Sequence, residues 1–448
     1  MRINLFIALY VFFNLPLFGQ QDLTLFQFSG IPQNNLVNPA SMPDDKIVIG
    51  LPVLSSVNGV YNNRAFALND GLLTEEGILV IDPELLISKL DKINFLNLQA
   101  QDQWFLFGYK LKDNYFQISI SEKAAVDFAF PKKLFDFILQ GNANFLGERV
   151  SIEKLGFNAI NYREISLGYV HQLNNKWQIG GHFNLLFGLA NIRSKNSSIG
   201  IYTDPENYNI TVDGNIEVNT SGLNSIQGNT TDYLKQGGNF GVGIDLGAIF
   251  RPNEKWEIST SLIDLGMIWW KNDLNTYTNN YKTFTLTGID IKDFVYDNNL
   301  DGDSLLTDIG DSLKDVFSLE EIEKKYSTSL SPKWYGGAKY YINHKNRVYA
   351  STNLQFYSSG IRFGFSAGYE LDLNKFLGLT ANYSIYNNSF SNFGFGLRGR
   401  LGPVQLYVMS DNLLASFNLY DYKSVHIRFG INLLFGDVNK PPVKNNLL

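Results

Sequence analysis

The stretch from Trp177 to Leu189 alternates without a slip, and this alternation constrains the chain more than any other feature. Trp177, Ile179, Gly181, Phe183, Leu185, Phe187 and Leu189 fall on one side, with Gln178, Gly180, His182, Asn184, Leu186, Gly188 and Ala190 on the other. Successive strand side chains point to opposite faces, so one face is greasy and aromatic and the other is small and largely polar. Two arrangements satisfy such a strand. In a soluble sandwich a second sheet covers the greasy face; in a membrane barrel lipid covers it and the small face lines a lumen.

The pattern recurs along the chain. Phe105, Phe107, Tyr109 and Leu111 alternate, as do Phe240, Val242, Ile244, Leu246, Ala248 and Phe250. The last third is densest, with rows running from Val348 to Phe356, Ile361 to Leu371, Leu377 to Ile385, Phe393 to Leu397, Val404 to Val408 and Val425 to Phe435. Most have about the 9 to 11 residues that a tilted membrane strand needs, and short turns join them. Sandwich domains would need a covering sheet for every aromatic row, and a propeller or β-helix would need a regular repeat that the spacings lack. The fold expected is all-β, a transmembrane antiparallel barrel of about 14 strands. An aromatic share of 14%, with 34 Phe, 24 Tyr, 39 Gly and only 13 Pro, suits it.

The remaining organisation follows from local signals. Arg2, the apolar run Leu5 to Leu17 and the small residue Gly19 before Gln20 form a signal peptide over 1–19, too short for a spanning helix. Residues 20–45, rich in Asn and Pro, read as an irregular arm or hatch. The barrel is expected over 46–436, beginning with the run Lys46 to Leu54, with loop insertions at 194–238 and 271–325 and a polar tail at 437–448. Asp82 caps a short helix begun by Pro83, and a second helix starts at Pro131 and stops at Gly141; both belong at the barrel mouth or inside it.

A turn motif repeats. Asn174-Asn175-Lys176-Trp177 is echoed by Asn253-Glu254-Lys255-Trp256, and more loosely by Asn374-Lys375-Phe376. A polar turn, a lysine and an aromatic suit a membrane interface, where the cation reaches headgroups and the ring sits at their level, so Trp177, Trp256 and Phe376 are expected to form an interface girdle.

Asn38-Pro39-Ala40, Ile49-Gly50-Leu51-Pro52, Leu265-Gly266-Met267-Ile268-Trp269, Thr287-Gly288-Ile289-Asp290 and the closing Gly430-Ile431-Asn432-Leu433-Leu434-Phe435-Gly436 resemble an uncharacterised Bacteroidota outer-membrane barrel family, over nearly the whole mature chain. More distantly, Asn38, Pro39 and Ala40 are similar to the early Asn-Pro-Ala of FadL-type transporters and of PorV- and PorP-type barrels of type 9 secretion and gliding. The resemblance implies residence in the bacterial outer membrane and an N-terminal arm that folds inward as a hatch.

Candidate chemistry is sparse. Asp297, Asn299, Asp301, Asp303 and Asp308, with Gly302 at the bend, have the spacing of a loop that wraps a structural calcium; the alternative is an acidic turn capping an amphipathic helix from Ser304 to Lys325. Strand parity puts His182, Asn184, Asp245, Glu257, Arg362, Glu370, Arg398, Arg400, His426 and Arg428 on the luminal face. There they form either a lining that guides a solute or a salt-bridged filling that holds a plug. The four His are scattered without a zinc spacing, so no catalytic residue is assigned and no enzyme expected. The absence of Cys excludes disulfides, thiolate metal sites and a Cys-linked lipid anchor, and a net charge of -6 without a basic run argues against nucleic acid. Expected partners are outer-membrane lipid and an envelope protein complex, and the residues do not specify an oligomeric state. Two functions fit: a channel or transporter for a small or hydrophobic solute, and a non-conducting accessory or scaffold barrel of a surface complex.

Overall fold

A two-residue period is satisfied by extended backbone. In lipid, extended backbone must pair on both edges, because an unpaired N–H or C=O there has no water to turn to, and closing the sheet removes both edges. The computed structural model describes residues 22–436, except 76–77, 153, 195–197, 224–237, 280–281, 287–318, 375, 387–388 and 418–420. It shows a closed barrel of 14 antiparallel strands.

In chain order these are β1 (Ile47–Gly50, resumed as Ser56–Asn63), β2 (Ile93–Leu111), β3 (Asn114–Pro131), β4 (Gly156–Gln172), β5 (Trp177–Ser194), β6 (Asn239–Asn253) and β7 (Trp256–Trp270). The second half comprises β8 (Tyr326–Ser329, resumed as Lys333–Tyr341), β9 (Asn346–Tyr357), β10 (Gly360–Asn374), β11 (Leu377–Tyr386), β12 (Ser389–Leu401), β13 (Val404–Ser410) and β14 (Ser424–Phe435). Each pairs with its sequence neighbours, and the ring closes where β1 meets β14, with Ile47 opposite Phe435 and Val57 opposite Phe429.

The outer rows have no protein cover. Phe183 and Ile244 are each 47% exposed, Phe363 51% and Leu406 54%, values incompatible with a second sheet packed on that face. They form the lipid-facing band. Among the described residues no helix is long and apolar enough to cross a membrane.

The first run, Lys46 to Leu54, is not one strand. It breaks after Gly50, because Pro52 lacks an N–H and Val53 takes a left-handed φ of 66°, and pairing resumes at Ser56. The two long insertions are partly ordered strand rather than plain loops. Ser198–Thr203, Ile210–Asn215 and Lys282–Leu286 join Arg149–Ile152 in a separate sheet, where Ile199, Ile201 and Val212 bury against Val150 and Ile152. Glu217–Ser221, Leu274–Thr278 and Glu320–Ile322 extend the barrel ladder beyond β5. Glu320–Ile322 therefore corrects the end of the helix expected up to Lys325: its backbone finds cross-strand partners in Thr276–Thr278.

One rim carries both barrel ends and turns of a few residues only, and all the long connections lie on the other. An arm helix, α1 (Leu23–Gln27), lies inside the barrel, followed by a 3₁₀ turn at Pro32–Leu36. The two short helices form as expected: α2 (Pro83–Lys89) with Asp82 accepting the Leu85 N–H at 3.0 Å, and α3 (Lys132–Gln140) ending at Gly141, whose φ is 78°. They pack together at the loop rim. Inside, Leu25, Phe26, Phe28, Ile31 and Val37 of the arm bury against Ile263, Tyr335, Tyr407 and Met409 of the wall, with Phe26 stacked on Tyr335 at 5.2 Å.

Candidate functional site

The arm is held in the lumen by charge at its start. Arg428 meets the Asp22 carboxylate through two parallel hydrogen bonds, Nε to Oδ1 at 2.8 Å and Nη2 to Oδ2 at 2.9 Å, and its Nη1 donates to Ser56 Oγ at 2.7 Å. The first N–H groups of α1 have no partner within the helix. The Asp411 carboxylate takes them instead, from Leu23 at 3.2 Å and Thr24 at 2.8 Å. His426 joins these two anchors: its Nδ1 accepts the Asp411 N–H at 3.1 Å while its Nε2 faces Asn58 Oδ1 at 2.9 Å.

Further along, Glu370 is a hub. It accepts from the Ser29 N–H at 3.1 Å and pairs with Lys339 at 3.1 Å and Arg347 at 2.8 Å, and Lys339 also donates to the Gln27 carbonyl at 2.6 Å. Arg347 and Arg398 share Asp372. Near the short-turn rim Arg400 holds Asp45 at 2.9 Å. Burial lifts the Asp45 carboxyl above its usual range, and Arg400 draws it part of the way back. Glu257 pairs with Arg251 at 2.8 Å near the same rim.

The Asn38-Pro39-Ala40 turn has a shaped berth. Asn38 Oδ1 accepts the Ala40 N–H at 3.1 Å, which closes the turn on itself. A Cβ on Gly180 would lie 2.1 Å from the Pro39 carbonyl oxygen, and one on Gly247 would lie 2.5 Å from Asn38 Oδ1, so the wall admits the turn only where both side chains are missing. The arm is also fixed by a reciprocal amide pair, with Gln33 Nε2 donating to Asn432 Oδ1 at 2.7 Å and Asn432 Nδ2 donating to Gln33 Oε1 at 2.8 Å.

From this turn a polar chain crosses the wall. Asn35 Oδ1 faces His182 Nε2 at 2.5 Å, and His182 Nδ1 faces Asp245 Oδ2 at 3.1 Å. Asn184 donates to that same oxygen at 2.9 Å. The other carboxylate oxygen of Asp245 accepts the backbone N–H of Asp264 at 2.7 Å.

Asp264 is the extra residue of a β-bulge between β6 and β7, with a left-handed φ of 58°. The bulge shifts the parity of β7, so Ile263 and Asp264 are both buried. Its carboxylate meets Lys123 at 3.3 Å and Lys333 at 2.9 Å, and Lys123 also pairs with Glu164 at 2.9 Å. These groups border a cavity of about 90 Å³, floored by Asp22, Leu36 and Val37 of the arm and walled by Ile160, Tyr162, Ile263, Leu330, Tyr335, Tyr357 and Arg428. Asp127, also on its lining, pairs with Arg362, whose guanidinium stacks over the Tyr357 ring at 3.9 Å.

The structure thus turns His182, Asn184, Asp245, Glu257, Arg362, Glu370, Arg398, Arg400, His426 and Arg428 inward and gives each a partner. Lys123, Asp264 and Lys333 were not anticipated. Lys123 continues the inward row Gln117, Ser119 and Ser121, a signal present in the sequence, whereas no spacing marks the bulge at Asp264.

At the short-turn rim Trp177, Trp256 and Phe376 are 43%, 44% and 45% exposed, as lipid-facing rings would be. Asn174 Oδ1 accepts the N–H groups of Lys176 and Trp177 at 2.8 and 2.9 Å, and Asn253 does the same for Lys255 and Trp256 at 2.9 and 3.1 Å. Asn374 repeats the device, and so does Asn343, which closes its turn onto Lys345 and Asn346 with no aromatic following. The calcium-loop candidates Asp297, Asn299, Asp301, Asp303 and Asp308 lie outside the described residues.

Residues 39–411 match the profile of a family described as "Family of unknown function (DUF5723)". No curated protein matches. Among solved structures, the chain is similar to the Ralstonia pickettii toluene transporter TbuX, at 9% identity and a TM-score of 0.44 over 95% of this chain and 100% of that one. It is also similar to a Pseudomonas aeruginosa FadL homologue, at 10% identity and 0.39 over 91% and 92%, and to the translocator domain of the autotransporter NalP from Neisseria meningitidis, at 7% and 0.32 over 88% and 90%. These scores are low, and the barrel stands on its own strand pairing.

Proposed function

The chain belongs to DUF5723, a family of unknown function, and from its own geometry we propose that it is an outer-membrane channel for a small or hydrophobic solute, gated by the N-terminal arm. The observation that carries this reading is the cavity whose floor is the arm itself. A solute entering from the loop rim meets apolar side chains, Leu36, Val37, Ile160 and Leu330, beside the ionised cluster of Lys123, Lys333 and Asp264. Such a mixed lining suits a molecule with an apolar body and a polar end. Passage requires the arm to leave, and non-covalent contacts hold it there.

Residence in the outer membrane is supported by the uncovered aromatic rows and by the contrast between short turns on one rim and long connections on the other. The luminal charges then hold the gate closed rather than select among ions.

One observation favours a second reading, a non-conducting scaffold for a surface complex: the lumen is filled by the arm and its ion pairs. Solute flux into liposomes separates the two. The gated channel gives low flux for the wild type and a clear rise for an arm-release variant such as Asp22→Asn combined with Gln33→Ala. Absence of flux for any solute from either protein, with a stable copurifying partner, would sink the transport reading.

A further inference from the structure

Away from the lumen, at the loop rim, a cleft of about 630 Å³ opens where β2 begins and β3 runs into α3. Lys92, Lys132, Lys133 and Lys154 line it, with Asp136 and Ser151. We propose that this cleft is a binding site for an anionic glycan, one bearing carboxylate or phosphate groups along its chain.

Charge is the first ground. Among the described residues that line it, four lysines face one aspartate, an excess of positive charge on a chain whose net charge is -6. Among the described residues none of the four lysine side chains has an ion-pair or hydrogen-bond partner. Elsewhere inside the protein lysines are used differently: Lys123, Lys333 and Lys339 all sit against carboxylates. Like charges held close together without partners repel, and the cost is relieved when an anion enters.

Composition of the cleft is the second ground. It contains no arginine, so it lacks the planar fork that clamps a single phosphate or carboxylate in two-point fashion. Lysines on flexible stems act as point charges and suit a ligand whose charges are distributed and mobile. Ile93 and Pro131 are the only apolar residues among the described lining, and the rest of its apolar surface comes from the carbon stems of polar side chains, which leaves no apolar pocket for an acyl chain. A volume of 630 Å³ falls within the ordinary range for small-ligand sites and accommodates a few sugar units.

Height is the third. β2 and β3 run to 19 and 18 residues, and a membrane strand uses about 9 to 11. The surplus of about eight residues lifts the cleft roughly 20 Å beyond the apolar band on a tilted strand. That is above the level of lipid headgroups. The choice of a glycan over a headgroup rests on the membrane placement proposed above; the anionic chemistry does not, and neither depends on conduction through the lumen.

The test uses the full chain purified in detergent micelles, with binding measured by calorimetry at low and moderate salt. Oligogalacturonate and phosphomannan are the carboxylate and phosphate probes, maltoheptaose the neutral control, and inorganic phosphate and phosphatidylglycerol vesicles the competing sources of the same charge. Binding of either charged glycan but not of maltoheptaose, weakened by salt and reduced about tenfold in Lys92→Gln/Lys133→Gln/Lys154→Gln, is the expected result. A matched variant at the opposite rim, Lys112→Gln/Lys176→Gln/Lys255→Gln, should bind as the wild type does. The proposal is overturned if neither glycan binds at low salt, if both triple variants lose affinity equally, or if inorganic phosphate or the vesicles bind and the glycans do not.

Discussion

Asp245 and Asp264 face each other across the one-against-two step of the β6–β7 ladder, with a carboxylate oxygen of Asp245 taking the Asp264 backbone N–H at 2.7 Å. Through Asp245 the bulge is tied to His182 and so to Asn35 of the arm, and through its own carboxylate to the two lysines beside the cavity. The position of the arm and the charge at the cavity wall are therefore parts of one hydrogen-bonded structure.

At Asp264 backbone and charge can be separated. Asp264→Gly keeps the left-handed backbone and removes the carboxylate; Asp264→Ala removes the carboxylate and also strains the bulge. Asp264→Ala should be the less stable of the two by about 1 kcal/mol in thermal unfolding. In both, Lys333 should gain reactivity towards an amine-specific reagent read by peptide mass spectrometry, since the carboxylate it pairs with is gone. Equal unfolding temperatures for the two variants would show that the left-handed backbone carries no cost.

Breaking the Asp22–Arg428 pair from one side strands a buried charge. Arg428 has 1% of its side chain exposed, so Asp22→Ala should destabilise the protein by roughly 3 to 5 kcal/mol. The double variant Asp22→Leu/Arg428→Met should recover much of that, because an apolar pair of similar volume has no ion to desolvate. Heat-induced unfolding of the reconstituted barrel, scored by its shift on gel electrophoresis, distinguishes them; no recovery in the double variant would mean that the arm needs the charge itself.

Filling the berth should expel the turn. Gly180→Val places side-chain atoms where the Pro39 carbonyl lies, 2.1 Å from the first of them, and the wall strand is held by β4 and β6 on its two edges. The arm is expected to yield, and hydrogen exchange over residues 34–41 should accelerate while the barrel strands keep their protection. Unchanged exchange over that segment would refute the berth.

The asparagine turns should each contribute about 1 kcal/mol, since replacing Asn174 or Asn253 by Ala leaves two backbone N–H groups without their acceptor. Because the turns face water, the loss should be small and additive across the two sites, which lie in separate hairpins. Chemical unfolding of the two single variants and the double variant measures it.

The barrel was legible because lipid imposes one parity on every strand that crosses it. Phe183, Ile244 and Phe363 could be placed outward from alternation alone, and His182, Asp245 and Arg362 inward with them. The seat of the arm was not. Gln33 with Asn432, or Thr24 with Asp411, are contacts between residues some 399 and 387 positions apart, and no local spacing encodes them. A bulge is similarly silent: Asp264 reads as one more residue in a row until the ladder is seen to slip. The rim sheet escaped notice for another reason, since Ile199, Ile201 and Val212 alternate over runs too short to stand out from the polar residues around them.

The ring closes between its first and last strands, and the arm leads directly into the first of these while its anchors, Asp411, His426, Arg428 and Asn432, lie on or just before the last. Contacts so far apart in sequence carry the greatest loop-closure cost and are expected to form late. Closing the cylinder also completes the seat for its plug, so that an unclosed precursor has no finished berth for the arm.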